Sequence, residues 1–161
     1  MTKHAPAPLP PFEPEFIAGL REVFERLIPF NRLLGLQLME IEADHVTGRV
    51  DMRPELIGHY SYQRLHGGVI SATLDAMGGV AVMAAIGARH MDEPPARRLE
   101  RFIKLGTIDL RIDYLRPGLG DHFIARAEVM RLGSRVASTR MEFRDAQGKL
   151  VSTGSAAYIV S

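Results

Sequence analysis

Residues 65–79 read "LHGGVISATLDAMGG" and open an apolar run that continues to Arg89. Between Gly67 and Ala88 the only charged side chain is Asp75. The run reads as one long apolar helix entered through the turn His66-Gly67-Gly68. An unpaired carboxylate inside such a helix costs several kcal/mol or must neutralise, about what it takes to undo a marginal fold. Its placement therefore calls for a reason.

The helix is about as long as a bilayer-spanning segment. Its filling is Gly and Ala with few large aliphatics, and an acid near the middle disfavours insertion by roughly 3 kcal/mol. The expectation is a core helix, with no membrane partner. Such a helix needs a sheet around it, and the flanking sequence supplies strands. Upstream, "LGLQLMEIEADHVTGRVDM" gives two short strands with a turn around Ala43–His45, with Leu34, Leu36, Leu38, Val46, Val50 and Met52 on apolar faces. Downstream, "TIDLRIDYL" alternates Ile108, Leu110, Ile112 and Tyr114 against Thr107, Asp109, Arg111 and Asp113, the pattern of a half-buried strand. "RPGLGD" is a turn. "HFIARAEVMRL" and "RVASTRMEFRD" pair around Gly133–Ser134, and "KLVSTGSAAYIV" follows around "AQG".

Further out, residues 13–28 carry Phe16, Leu20, Val23, Phe24 and Leu27 at helical spacing, and "PFNRLLG" breaks that helix. Residues 53–65 show neither period and read as a loop. "HMDEPPARRLERFIK" reads as exposed. The proline-rich opening lacks an apolar stretch behind Lys3 and is expected to be a flexible lead-in over residues 1–12, not a secretory signal. One domain, 13–161, follows. Strands joined by short turns around one buried helix make an α+β domain with an antiparallel sheet and an extra N-terminal helix.

Composition narrows the chemistry. A net charge of +1 gives no electrostatic case for nucleic acid. With no cysteine, disulfides, thiolate metal sites and cysteine nucleophiles are excluded, which is compatible with a cytoplasmic location. No G-x-S-x-G frame surrounds Ser71 or Ser155, "GLGDHF" lacks the closing glycine of a dinucleotide fingerprint, and the six histidines do not gather at metal-ligand spacing. No metal or cofactor is expected.

Asp75 suits acyl transfer, as a base activating water or as a nucleophile. The N–H groups opening the helix suit polarisation of a carbonyl, because glycine lets substrate approach the backbone. A plain tight turn explains Gly67 and Gly68 equally well. His66 and Asp75 are nine positions apart, about 13 Å along one helix, so one carbonyl cannot meet both. If both serve one reaction, they come from two copies of the chain in a symmetric dimer.

The HGG turn, the acid nine positions after its histidine, the entry "IPFNRLLGLQL" and "GTIDLRIDYLRPG" together resemble hotdog-fold acyl-CoA thioesterases of the phenylacetate-pathway type. They are more similar still to the YigI-type medium/long-chain enzymes. The resemblance covers residues 25–160. It implies a hotdog fold, a homodimer or tetramer with continuous sheets, and hydrolysis of acyl-CoA without cofactor. By the same resemblance Asp75 is base or nucleophile, Gly67 with Gly68 polarises the thioester carbonyl, and His66 orients turn and water. Many relatives carry an asparagine six or seven positions before the histidine, where this chain has His59 and Tyr60. These two are taken as substrate-binding candidates. Coenzyme A carries phosphates, which suits Arg116, Arg131 and Arg135 at turns. Ala72, Ala76 and Gly79 either leave room for an acyl chain or let the helix pack tightly, and packing is the expected role for most of them. A hydratase fits less well, since neither His59 nor His66 is followed closely by an acid in the required pattern. The other reading is a non-catalytic acyl-CoA binding or sensing module of the same fold.

Overall fold

The computed structural model describes residues 11–161, so residues 1–10 of the expected lead-in lie outside the described residues. Phe12 is already in the core, its ring 4.9 Å from that of Phe16. Helix α1 (Pro14–Arg21) starts on proline, whose missing N–H is no loss in a first turn, with Glu15 and Arg21 suited to the two ends of its dipole. The single helix expected over 13–28 does not stay α-helical. Residues Glu22–Leu27 widen into a π-turn, in which the Ile28 N–H donates to the Val23 carbonyl five positions back at 3.1 Å. The next bond of that series would need an N–H from Pro29, which has none. The Asn31 side chain supplies it, Nδ2 donating to the Phe24 carbonyl at 3.0 Å. The first helix does end where "PFNRLLG" begins, at Ile28 in an extended conformation (φ −82°, ψ 108°), and that segment forms a short helix of its own, α2 (Pro29–Leu34), closed by Gly35 at φ 74°.

Strands β1 (Gln37–Ile41) and β2 (His45–Asp51) form the expected hairpin, with Leu34 left in the helix before it. Residues 53–65 are more ordered than a plain loop: a 3₁₀ turn (Pro54–Leu56) leads into a small hairpin of β3 (Ile57–His59) and β4 (Arg64–Leu65). Helix α3 spans Gly67–Arg89, the expected bounds. A short helix α4 (Pro95–Glu100) and a 3₁₀ turn (Arg101–Lys104) precede β5 (Gly106–Tyr114), β6 (His122–Leu132), β7 (Val136–Asp145) and β8 (Leu150–Ile159).

The main sheet has the order β1-β2-β6-β7-β8-β5, with every neighbouring pair antiparallel. It curls around α3, which touches β2, β5, β6, β7 and β8. Leu74, Met77, Val80, Val82 and Met83 are fully buried around the helix. A helix apolar on all sides must be covered on all sides, and here the sheet wraps one side while Phe16 and Phe24 of the N-terminal helical segments pack at Gly87 and Gly79 on another. By length and hydropathy α3 would also pass as a membrane span, yet 72% of that window is buried within the domain. This is the α+β hotdog arrangement.

Two expectations need correction. In β5 the alternation is broken by a bulge between Thr107 and Asp109, and the strand lies at the sheet edge. Leu110 and Ile112 are half-buried, but Ile108 and Tyr114 are more than half exposed. The segment 90–104 is not simply exposed, because Arg98 is completely buried. Its guanidinium lies 4.5 Å from the Phe16 ring centroid, donates to the Gly87 carbonyl and pairs with Glu13. It thus ties α1 to α3. We expect Arg98→Ala to lower Tm by about 10 °C, because it empties a large buried volume. Glu13→Gln should do much less, since Glu13 is partly exposed. Arg98 holds the Glu13 carboxyl below its ordinary value. The pair's contribution is therefore present above the usual carboxylate range and lost as pH falls through the lowered value. A thermal melt series across pH checks both.

Candidate active site on the central helix

At the start of α3, His66 is the N-cap, and its Nδ1 accepts a hydrogen bond from the Gly68 N–H at 2.8 Å. That leaves the imidazole proton on Nε2. A Cβ on residue 68 would sit 2.9 Å from that Nδ1, so the cap needs glycine there. In this structure the Gly68 N–H is taken up by the cap. The Gly67 N–H donates to nothing among the described residues. Tyr114, at the end of β5, braces the turn by donating its hydroxyl to the Gly67 carbonyl at 3.0 Å.

Asp75 is half-buried, not fully buried. Its Oδ1 accepts from the Thr107 hydroxyl at 2.8 Å and from the Tyr158 hydroxyl at 3.3 Å, and the Tyr158 hydroxyl also donates to the Asp75 carbonyl at 2.8 Å. Burial, and then the adjacent Asp75, push the Tyr158 phenol well above its ordinary value, so it remains a neutral donor. Gly78 permits this approach, since a Cβ there would meet the Tyr158 oxygen at 2.1 Å. The lone acid is therefore held by two hydroxyls from β5 and β8.

Neither hydroxyl was legible beforehand. Strict alternation puts Thr107 on the outer face with Asp109, and the bulge between them turns it inward. Tyr158 has the ordinary position of an inward residue on a last strand, with nothing in its neighbours to mark it.

Asp75, Thr107 and Tyr158 border a cavity of about 320 Å³, also lined by Asn31 and by the apolar Phe24, Ile28, Phe30, Phe102 and Leu105. Ala72, Ala76 and Gly79 border it too, against the expectation that most of them serve packing. A second cavity of about 370 Å³ lies at the helix start, bordered by His66, Gly68, Val69, Leu56 and Leu33. Phe30 borders both. Because α3 is unbroken, His66 and Asp75 stay nine positions apart, two and a half turns, and point to different sides.

The remaining candidates lie elsewhere. His59 and Tyr60 are at the exposed tip of the β3–β4 hairpin, their rings stacked at 5.9 Å, with Tyr60 85% exposed. Gly58 beside them packs on His66, so the tip adjoins the helix start. Arg116 donates to the Leu150 carbonyl at one end of the sheet, while Arg135 is at the other, where β7 begins. Neither borders the two cavities.

Comparison with known proteins agrees with this architecture. A family model described as the thioesterase superfamily matches residues 62–152. The medium/long-chain acyl-CoA thioesterase YigI of Escherichia coli K12 is 34% identical over 139 residues, which cover 86% of this chain and 90% of that one. Its counterpart in Salmonella typhimurium is 35% identical over the same shares. A crystal structure from Shewanella oneidensis, related to the thioesterase superfamily, has a TM-score of 0.84 at 38% identity and covers 93% of this chain and 100% of its own. Thioesterase superfamily member 2 of Mus musculus, at 20% identity and a TM-score of 0.69 over 89% of this chain and 96% of its own, shares the fold. By its sequence, this chain belongs to the thioesterase superfamily.

Proposed function

We propose that the protein is a cytoplasmic acyl-CoA thioesterase that hydrolyses medium- or long-chain substrates to a free acid and coenzyme A. The observation that carries this is a single hydrogen-bonded carboxylate at the wall of a mostly apolar cavity. The cavity takes the acyl chain, and its apolar lining with few polar groups is what such a chain needs. The thioester carbonyl lies at the Asp75 end. Asp75 removes a proton from water, whose oxygen then attacks the carbonyl carbon, or attacks that carbon itself. In the first route the tetrahedral intermediate collapses, the C–S bond breaks, and the proton held by Asp75 passes to the departing sulfur, giving the free acid and coenzyme A thiol. In the second the C–S bond breaks to leave an anhydride on Asp75, the thiolate takes a proton from water, and a further water hydrolyses the anhydride, releasing the free acid and restoring the carboxylate. Thr107 and Tyr158 keep the carboxylate in position.

The carbonyl oxygen needs a donor as charge builds on it, and the free Gly67 N–H is the one at a helix start. Distance and direction along α3 favour a Gly67 from the second copy in a homodimer. The edge strand β5 supports such pairing: its outer side is unpaired, and Ile108, Tyr114 and Leu115 are each about half exposed. Long apolar edges invite a partner strand. Pairing of dimers into a tetramer would follow the same logic on other faces. His59 and Tyr60, beside the helix start, Arg116 after β5, Arg131 near the end of β6 and Arg135 just before β7 are assigned to the coenzyme A portion.

Thiol release from saturated acyl-CoAs of increasing length tests the reading directly. Release that rises with chain length and then stops supports it, and no release from any chain overturns it. The same panel tests Gly79 as the residue that limits depth. A Cβ there meets Phe24 and Leu105 at 3.5 Å, ordinary contact, so Gly79→Ala is accommodated while narrowing the cavity. We expect kcat/KM for the longest accepted chains to fall about tenfold with short chains little changed.

A further inference from the structure

The cavity at Asp75 contains one group that a plain hydrocarbon does not need. Asn31 borders it and is only 5% exposed. Its Nδ2 donates to the Phe24 carbonyl at 3.0 Å, the carbonyl that the π-turn leaves open and Pro29 cannot serve. That bond fixes which end of the amide is nitrogen and which is oxygen. Among the described residues, no group donates to the Asn31 Oδ1. The other hydroxyls at this cavity do not answer it, because those of Thr107 and Tyr158 both donate to Asp75. This oxygen is open to the cavity and so to water, and covering it without a donor loses free energy comparable to a missing hydrogen bond. An unsubstituted chain filling the cavity would displace water from this oxygen and give nothing back.

We propose that Asn31 selects acyl-CoA substrates whose acyl chain carries a hydroxyl group, which donates its hydrogen to Oδ1. This rests on the thioesterase reading and narrows its substrate class. The hydroxyl takes no part in bond making or breaking. It contributes a contact to the bound chain while the thioester reacts at Asp75 as before. Capping of the Phe24 carbonyl explains why an amide nitrogen is present. It does not explain why the oxygen of that amide is left without a donor at the wall of the acyl cavity.

The experiment compares kcat/KM for matched pairs, each an unsubstituted acyl-CoA and its 2-, 3- and ω-hydroxy forms of the same length. In the wild-type protein, one hydroxy isomer should exceed its parent by about fivefold to tenfold, the size of one neutral hydrogen bond. In Asn31→Leu, of similar size and without the acceptor, that ratio should fall to one or below. If Asn31 only supports the π-turn, the variant lowers all substrates together and the ratio stays, which overturns the proposal. Wild-type ratios at or below one for every isomer overturn it too, whether or not the variant folds. In both cases unsubstituted substrates still release thiol, so the thioesterase reading survives. Absence of thiol release from every substrate would remove both.

Discussion

Asp75→Asn should lower the rate of thiol release from acyl-CoA by about a thousandfold or more, with the melting temperature nearly unchanged. The substitution keeps the shape of the side chain and an oxygen to accept from Thr107, which lies 2.8 Å from Oδ1. Tyr158 retains its bond to the backbone carbonyl of residue 75, at 2.8 Å, whatever the side chain becomes. What disappears is the ability to take a proton from water or to form an acyl bond. General-base catalysis alone is worth about 10²–10⁴ in rate, and a lost nucleophile is no milder. Thiol release and a thermal melt on the same preparations separate chemistry from folding. Equal, slow release by both proteins would make Asp75 structural, a bracket between α3, β5 and β8. The acyl-CoA binding-module reading would then take precedence.

The variant also clarifies why the acid stands in this helix. An acid fully enclosed by hydrocarbon would have to neutralise or pair with a cation. Asp75 is not so enclosed: it is half-buried, with two hydroxyls as partners and no cation paired to it among the described residues. Such an arrangement holds a carboxylate in a defined orientation and leaves it reachable from the cavity.

Much of this was legible from residues in order. The α3 bounds follow from one uninterrupted apolar run opened by His66-Gly67-Gly68, and the β6–β7–β8 meander follows from period-two patterning with turn residues between strands. Local pattern fails where a backbone irregularity reassigns faces. A one-residue bulge in β5 puts Thr107 beside Asp75. The π-turn at Glu22–Leu27 and the extended Ile28 after it redirect the chain before a second helix starts on Pro29, and so bring Phe24, Ile28 and Asn31 to the cavity wall. Insertions of this kind leave no periodic trace, because they are themselves the break in the period. Arg98 illustrates another limit: a charge among charges in sequence, it is buried only because Phe16 and Glu13 arrive from a helix far away in the chain.

The second large effect concerns Gly67 and the question of how many chains build one site. Proline at position 67 removes a single N–H. It does so where proline is best tolerated, the first residue of a helix, and His66 already has φ −66° and ψ 134°, the extended conformation that a following proline requires. The only close neighbour of an added Cβ is the exposed Tyr114 ring, at 3.3 Å. Gly67→Ala adds the same carbon and keeps the N–H, so it measures the steric part alone. We expect Gly67→Pro to lower kcat by about 10²–10³, the usual worth of one donor at a developing oxyanion, and Gly67→Ala to lower it far less. Equal losses would mean that bulk matters and the N–H does not. The decisive step is to refold an equimolar mixture of Gly67→Pro and Asp75→Asn chains. If each site takes its N–H from one chain and its acid from the other, a mixed dimer has one site with both lesions and one with neither. Random pairing makes half the dimers mixed, so activity should return to about one quarter of wild type from two nearly inactive parents. If both groups act within one chain, every site in every dimer carries a lesion, and mixing recovers nothing. The separation of His66 and Asp75 along an unbroken α3 predicts the first outcome.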